Sequence, residues 1–157
     1  MKGKFFAGLI VAVALCAGLA MYWLQVYAYY VPANFEKGAE ISLTPLNGGP
    51  PSPVLVSEIE GIDAQSSPLR FRACFKTAQS LSVLSETYQL YKTPTPLVTP
   101  SWFTCFDPAV IDKGLTQGRA LAFLGQANIT PGFDRVVVIF DDGHGFAWHQ
   151  LNAELKE

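Results

Sequence analysis

The sequence predicts an α+β protein, with an N-terminal transmembrane helix followed by a small, mostly antiparallel sheet domain carrying one or two helices. Three observations predict this class. Residues 5–30 contain no charged side chain, residues 135–140 (RVVVIF) favour a strand, and Asp107-Pro108 is typical of a helix start. We therefore divide the chain into a tip and anchor at 1–30, an exit linker with a Pro/Gly-rich loop at 31–53, and an α+β domain at 54–157.

The uncharged stretch is long enough to cross a bilayer as a helix. A helix rises about 1.5 Å per residue, so about 20 apolar residues cross a hydrocarbon core of roughly 30 Å. Lys2 and Lys4 precede the stretch, whereas aromatic residues crowd its far end, at Tyr22, Trp23, Tyr27, Tyr29 and Tyr30. Basic residues stay on the cytoplasmic side, and aromatic belts mark the interfaces. We expect a single-pass protein of a bacterial inner membrane, with a cytoplasmic N-terminus and a periplasmic C-terminal domain.

Two other interpretations of the anchor are weaker. A cleavable signal peptide would end at Gly18-Leu19-Ala20, but the apolar character continues to residue 30, beyond a signal core of roughly 7–15 residues. A lipoprotein would be modified at Cys16. The residue before a lipidated cysteine is normally small, and Leu15 is not.

The remainder of the chain is acidic. It carries 9 of the 11 basic residues and all 13 acidic ones, a net charge of −4. A negative domain is poorly suited to binding a phosphate backbone, so we expect no nucleic-acid partner. The expected partners are the lipid of the inner membrane and another membrane protein, reached through the span or the outer domain.

Alternation and turn residues predict the elements of the domain. Residues 69–75 alternate apolar side chains with Arg70, Arg72 and Cys74, which predicts a half-buried strand with those three on one face. Asp142-Gly143 predicts the turn of a C-terminal hairpin. The full set is strands at 41–43, 54–62, 69–75, 119–127, 135–140 and 146–151, and helices at 77–88 and 107–117.

Cys74 and Cys105 are the first candidates for a site. Beyond the membrane a cysteine pair is expected to be oxidised, so a structural disulfide is the favoured interpretation. A redox-active pair usually has the spacing Cys-X-X-Cys, which these residues lack. The alternative is a copper or zinc site in which His144 and His149 join the two cysteines. Five positions apart on a strand point to opposite faces, so that site requires His144 to bend back in the turn.

Two aromatic clusters are candidates for a partner surface, although core packing is the favoured interpretation for most of their residues: Trp102, Phe103, Trp148, His149 and Gln150. The sequence contains no nucleophile elbow, phosphate-binding glycine loop, dinucleotide fingerprint or His-Glu-X-X-His pattern. We therefore expect no catalytic residue and no cofactor.

Three stretches resemble an uncharacterised bacterial family that is known only as a domain of unknown function. They are residues 61–64 with 66–75 (GIDA and SSPLRFRACF), residues 100–107 (PSWFTCFD) and residues 148–152 (WHQLN). The resemblance covers nearly the whole chain, including the single span. It implies a single-span, periplasm-facing architecture and almost nothing about activity. Members are sometimes labelled histidine kinase, which this chain does not support because it lacks a phosphate-binding glycine loop and room for an ATP domain.

The function that these features favour is non-catalytic. We expect a membrane-anchored periplasmic accessory protein that supports the assembly or stability of a membrane complex, for example a respiratory one. The alternative is a copper- or thiol-handling protein for an oxidase-type enzyme, using Cys74, Cys105, His144 and His149.

Overall fold

The computed structural model describes residues 2–152, and it begins with one long apolar helix. Helix α1 (Lys2–Trp23) continues into a π-helical turn at Leu24–Ala28. From Gly3 to Trp23 the residues of the helix are exposed; Phe5, Ile10 and Leu19 are each 70% exposed. The segment is long and apolar enough to cross a membrane. It therefore stands outside the core of the domain and presents an apolar surface with no protein against it.

The domain is built on a six-stranded antiparallel sheet. Two short helices, a separate two-stranded sheet and a 3-10 turn at Pro68–Arg70 complete the domain. The bounds are β1 Val31–Pro32, β2 Ile41–Leu43, β3 Ser52–Val54, β4 Ser57–Asp63, β5 Arg72–Lys76, α2 Leu81–Thr87, α3 Pro108–Thr116, β6 Ala120–Thr130, β7 Phe133–Phe140 and β8 His144–Leu151. The strand order of the large sheet is β1-β4-β5-β8-β7-β6, and the two-stranded sheet pairs β2 with β3.

Both faces of the large sheet are covered. On one, the α3 face, Phe103, Phe106 and Ile111 pack against Val138 and Trp148. On the other, the α2 face, the two-stranded sheet and α2 contribute the buried side chains Ile41, Leu43, Val54 and Leu84. A strand that is covered on both sides reads as a continuous apolar run, which explains the sequence of β7.

Part of the segment at 31–53, predicted as an exit linker and loop, packs with the domain. Ile41 and Leu43 are fully buried in the core, and β1 is already part of the large sheet. The predicted strand at 54–62 is likewise two strands that belong to different sheets. The first of these strands ends at Val54 and the second begins at Ser57, and Leu55 between them is 78% exposed. Pro53 is tolerated within β3 because a two-stranded sheet consists only of edges.

The predicted strand at 69–75 starts too early. Ser67 caps the 3-10 turn by accepting a hydrogen bond from the Leu69 amide at 3.3 Å, so Arg70 lies outside the strand. Strand β5 is buried on both faces rather than half-buried. The first predicted helix also begins later than expected. Ser80 caps α2, while the Thr77 hydroxyl donates to the carbonyl of Leu55 at 2.9 Å.

The C-terminal half agrees with the predictions. Asp107 caps α3 by accepting a hydrogen bond from the Ala109 amide at 2.9 Å, and Gly118 follows the helix with a φ of +69°. Strands β7 and β8 form the predicted hairpin, in which Gly143 takes a φ of +86°. The fold class is therefore the predicted α+β, with an apolar N-terminal helix followed by a mostly antiparallel sheet and two further helices.

Candidate functional site

The predicted disulfide between Cys74 and Cys105 is present. The two Cα atoms are 6.2 Å apart, and the bond joins β5 to the segment that precedes α3. Cys74 is buried and Cys105 is half-buried. Both sulfurs are therefore used in a covalent link, and neither is a free thiolate that could bind a metal.

Arg72, which lies two residues before Cys74 on β5, holds the chain that leads to Cys105. Its guanidinium donates hydrogen bonds to four carbonyl oxygens, those of Leu69, Phe71, Leu97 and Val98, over 2.6–3.3 Å. The side chain is only 4% exposed, and burial lowers the pKa of Arg72 to about 10, which still leaves it charged at neutral pH. The proline-punctuated segment around residue 97 is thus held to the α3 face by a buried cation.

The two histidines lie in different surroundings, one exposed and one buried. His144 occupies the exposed hairpin turn, with Nδ1 3.1 Å from Asp142 Oδ1. His149 is buried on the α2 face, where its ring stacks on Phe71 at 4.5 Å. Its Nδ1 lies 2.9 Å from the Pro68 carbonyl, and its Nε2 accepts a hydrogen bond from Arg135 at 3.0 Å. Burial, followed by the neighbouring Arg135 charge, lowers the pKa of His149 to about 4.

The structure does not bring all four residues of the predicted metal site together. Cys74 and Cys105 are joined in the disulfide, and His149 lies on the opposite face of the sheet from Cys74. Among residues 2–152, no group of three or more His, Cys, Asp or Glu side chains is placed to hold a metal ion. The copper-handling alternative loses its ligands with this site.

Three of the predicted residues do meet in one shallow cleft. Cys74, Cys105 and His144 line a space of about 150 Å³ together with Glu58 and Lys76. Lys76 Nζ lies 2.6 Å from Glu58 Oε2, and Glu58 sits at a β-bulge with a φ of +49°. Lys76 and Glu58 are thus paired with each other, and the two sulfurs are bonded.

Core packing, the favoured interpretation for most of the candidate partner surface, applies to four of its five residues. Trp148, Gln150, His149 and Phe103 are buried, at 0%, 3%, 7% and 8% exposure. Gln150 is held inside by its own contacts, since its Oε1 accepts hydrogen bonds from Trp148 Nε1 and from the Thr95 amide. Only Trp102 reaches the surface.

Trp102 joins the domain to the end of the helical span. Its Nε1 donates a hydrogen bond to the Val26 carbonyl at 2.7 Å, one of the carbonyls that a helix end leaves without an intrahelical partner. Its ring stacks on Tyr27 at 6.2 Å and meets Tyr30 edge-on at 5.7 Å.

Arg70 approaches the same place from the 3-10 turn. Its guanidinium carbon lies 5.3 Å from the centre of the Tyr30 ring and 5.9 Å from that of Tyr29. Its Nη1 is buried with no hydrogen-bond acceptor among the described residues. We call Tyr27, Tyr29, Tyr30, Arg70 and Trp102 the aromatic collar. The sequence shows the tyrosines as a belt but gives no sign that Arg70 and Trp102 close on them.

A partly exposed segment that includes Leu97 and Val98 lies beside the collar. Residues 98–101 line a cleft of about 340 Å³ against Tyr22, Gln25, Val26 and Tyr30. Leu97 lines a second, apolar hollow of about 170 Å³ with Leu69 and Leu151. Val98, between the two, is 85% exposed. We call residues 97–101 the ridge.

A buried polar network, which the sequence does not reveal, holds the far end of the sheet. The Tyr91 hydroxyl donates to Asp134 Oδ2 at 3.1 Å, and Asp134 Oδ1 accepts from the Asn128 amide at 3.0 Å. Burial and the adjacent carboxylate raise the pKa of Tyr91 to about 12. Each partner satisfies another, as a structural network requires.

Comparison with known proteins gives one match. A protein-family model described as "Family of unknown function (DUF6446)" matches residues 41–157. The match confirms the resemblance to an uncharacterised family, although it begins after the span rather than covering nearly the whole chain. No curated protein and no solved structure matches the chain.

Proposed function

We propose that this chain, which belongs to the family of unknown function that matches residues 41–157, is a membrane-anchored accessory protein with no catalytic activity of its own. The apolar helix would span the inner membrane, with the domain on the periplasmic side. Lys2 and Lys4 before the span and the aromatic residues after it support this orientation. The protein would bind a second membrane protein in the same bilayer and support its assembly or stability.

One observation carries the proposal: the domain is fastened to the end of the span instead of being tethered to it. Trp102 bonds to the carbonyl of Val26, and Arg70 packs on Tyr29 and Tyr30. Immediately afterwards β1 pairs with β4, Val31 lying opposite Asp63. An exposed apolar helix and a domain held at its end form one unit, which suits contact with a neighbouring membrane protein rather than capture of a soluble substrate.

The test is an inner-membrane inventory of a deletion strain. We expect the subunits of at least one membrane complex to fall in abundance, or to migrate as a smaller assembly on native gels, and to recover when the wild-type chain is supplied. A chimera in which residues 5–24 are replaced by an unrelated apolar span of equal length separates the two contact surfaces. It restores the complex only if the domain makes the essential contact.

An unchanged set of membrane proteins, in abundance and in assembly, would refute the accessory role. Turnover of a small molecule by the purified full-length chain would refute its non-catalytic part.

A further inference from the structure

We infer that Arg70 and the ridge form a binding site for the phosphate headgroup of an anionic phospholipid in the leaflet that the domain faces. The inference rests on the membrane placement proposed above and adds a lipid ligand to it. Arg70 supplies the charge, the ridge supplies an apolar surface beside it, and the collar fixes both at the end of the span.

Arg70 differs from Arg72, Arg119 and Lys76 in having no acceptor within residues 2–152. Arg72 donates to four carbonyls, Arg119 pairs with Asp141 at 3.2 Å, and Lys76 pairs with Glu58. The Arg70 guanidinium instead rests on two tyrosine rings, and its buried Nη1 has no acceptor within residues 2–152. A guanidinium is a rigid fork of donors that matches phosphate oxygens. The residue is only half-buried, so a phosphate can approach its outer edge.

The ridge provides the second half of the chemistry. Val98 is 85% exposed, and Leu97 opens onto the apolar hollow that Leu69 and Leu151 line. Leu69 directly precedes Arg70, so an apolar patch and a cation adjoin each other. Side chains of these two kinds, placed side by side, fit the boundary between headgroups and acyl chains.

The position of the site favours a lipid over a protein. The cleft between the ridge and the span is lined by Tyr22, Gln25 and Val26, which belong to the last turns of the apolar helix. Aromatic residues at the end of a span lie at headgroup level. A phosphate and an acyl chain meet at that level in one molecule, a phospholipid, whereas a free phosphate would make no use of the ridge.

The experiment measures hydrogen–deuterium exchange of the full-length protein in nanodiscs. One set contains phosphatidylcholine alone, and the other contains phosphatidylcholine with phosphatidylglycerol. We expect the amides of Leu97, Val98, Thr99 and Ser101 to exchange about fivefold more slowly with the anionic lipid. That factor corresponds to about 1 kcal/mol for one basic side chain at an anionic surface.

Matched variants separate the ligand from the fold. Arg70→Gln should abolish the difference between the two lipids, whereas Arg119→Gln, the same change at an exposed arginine paired with Asp141, should retain it. Val98→Ser should reduce the protection, and this residue is too exposed for the change to unfold the domain. Unchanged exchange in β7 shows that each variant is folded.

Three outcomes overturn the inference. The first is equal exchange in both lipids. The second is equal protection by millimolar inorganic phosphate in detergent, which would indicate a plain anion site. The third is protection in native membranes but not in anionic nanodiscs, which would indicate that a protein covers the ridge. Lipid protection combined with an unchanged membrane inventory would refute the accessory role and leave the lipid site standing.

Discussion

Removal of the disulfide should cost the domain a large part of its stability. The bond closes a loop with a sequence separation of 31 residues. In the chain-entropy model this restricts the unfolded chain by about 12 cal/mol/K, or about 3.7 kcal/mol at 25 °C. The unfolding entropy is about 2.1 cal/mol/K per residue, so for a domain of about 115 residues the expected fall in Tm is about 15 °C. The perturbation is the double variant Cys74→Ala/Cys105→Ala.

The assay is guanidinium unfolding of the full-length protein in detergent, followed by near-UV circular dichroism. Cys16→Ala is the matched control, because Cys16 lies in the span outside the domain and its loss should leave the midpoint unchanged. Reduction of the wild-type protein should reproduce the double variant without a change of side chain. A loss below about 1 kcal/mol would refute the reasoning, and would mean that the unfolded chain is little freer without the bond than with it.

Four further predictions follow from single contacts. His149 has a pKa of about 4 in the folded protein against about 6.5 in the unfolded chain. Its neutral ring therefore stabilises the fold fully above pH 6.5, and this stabilisation is lost as the pH falls to 4. The free energy of unfolding should drop by about 3 kcal/mol over that range, and His149→Gln should remove this drop. Arg72→Met leaves four carbonyls without a charged donor and should lower the free energy of chemical unfolding by at least about 3 kcal/mol. A loss under about 1 kcal/mol would show that water replaces the guanidinium. Gly145→Ala places a methyl group against the Phe75 ring and should cost about 1–3 kcal/mol in the same assay, unless the ring rotates away and the midpoint stays unchanged. Trp102→Phe retains an aromatic ring but loses the hydrogen bond to the Val26 carbonyl, which contributes about 1 kcal/mol. In hydrogen–deuterium exchange, the amides of residues 24–30 should therefore exchange roughly fivefold faster, while those of β7 should not change.

Local signals in the sequence predict the elements whose cause is local. The cap of α3 needs only Asp107 and the proline after it, and the β7–β8 hairpin needs only a β-branched run and an Asp-Gly turn. The disulfide follows from compartment and cysteine count. In each case the residues that decide the structure are neighbours in the chain or are chemically unambiguous.

Other features depend on partners that are remote in sequence, and these could not be predicted. The alternation around Arg72 indicates a half-exposed strand, yet its acceptors at residues 97 and 98 lie 25 and 26 positions away and allow the charge to be buried. Trp148 is fully buried, and the sequence does not reveal that Gln150 satisfies its indole nitrogen inside the core. The collar requires the 3-10 turn, the loop at Trp102 and the span to converge, which no pattern within one segment indicates.

The domain follows the apolar helix without a free linker, and this limits how far from the membrane the proposed accessory protein could reach. Treated as free chain, residues 31–53 would give the domain a reach of roughly 25 Å from the bilayer. The structure instead places Val31 in the large sheet and Ile41 in its core, so that freedom is lost. A domain of this size has a radius of gyration of about 13 Å. With the membrane placement proposed above, the domain would stay close to the bilayer, and a tilt of the helix would be transmitted to the sheet through Trp102 and Arg70.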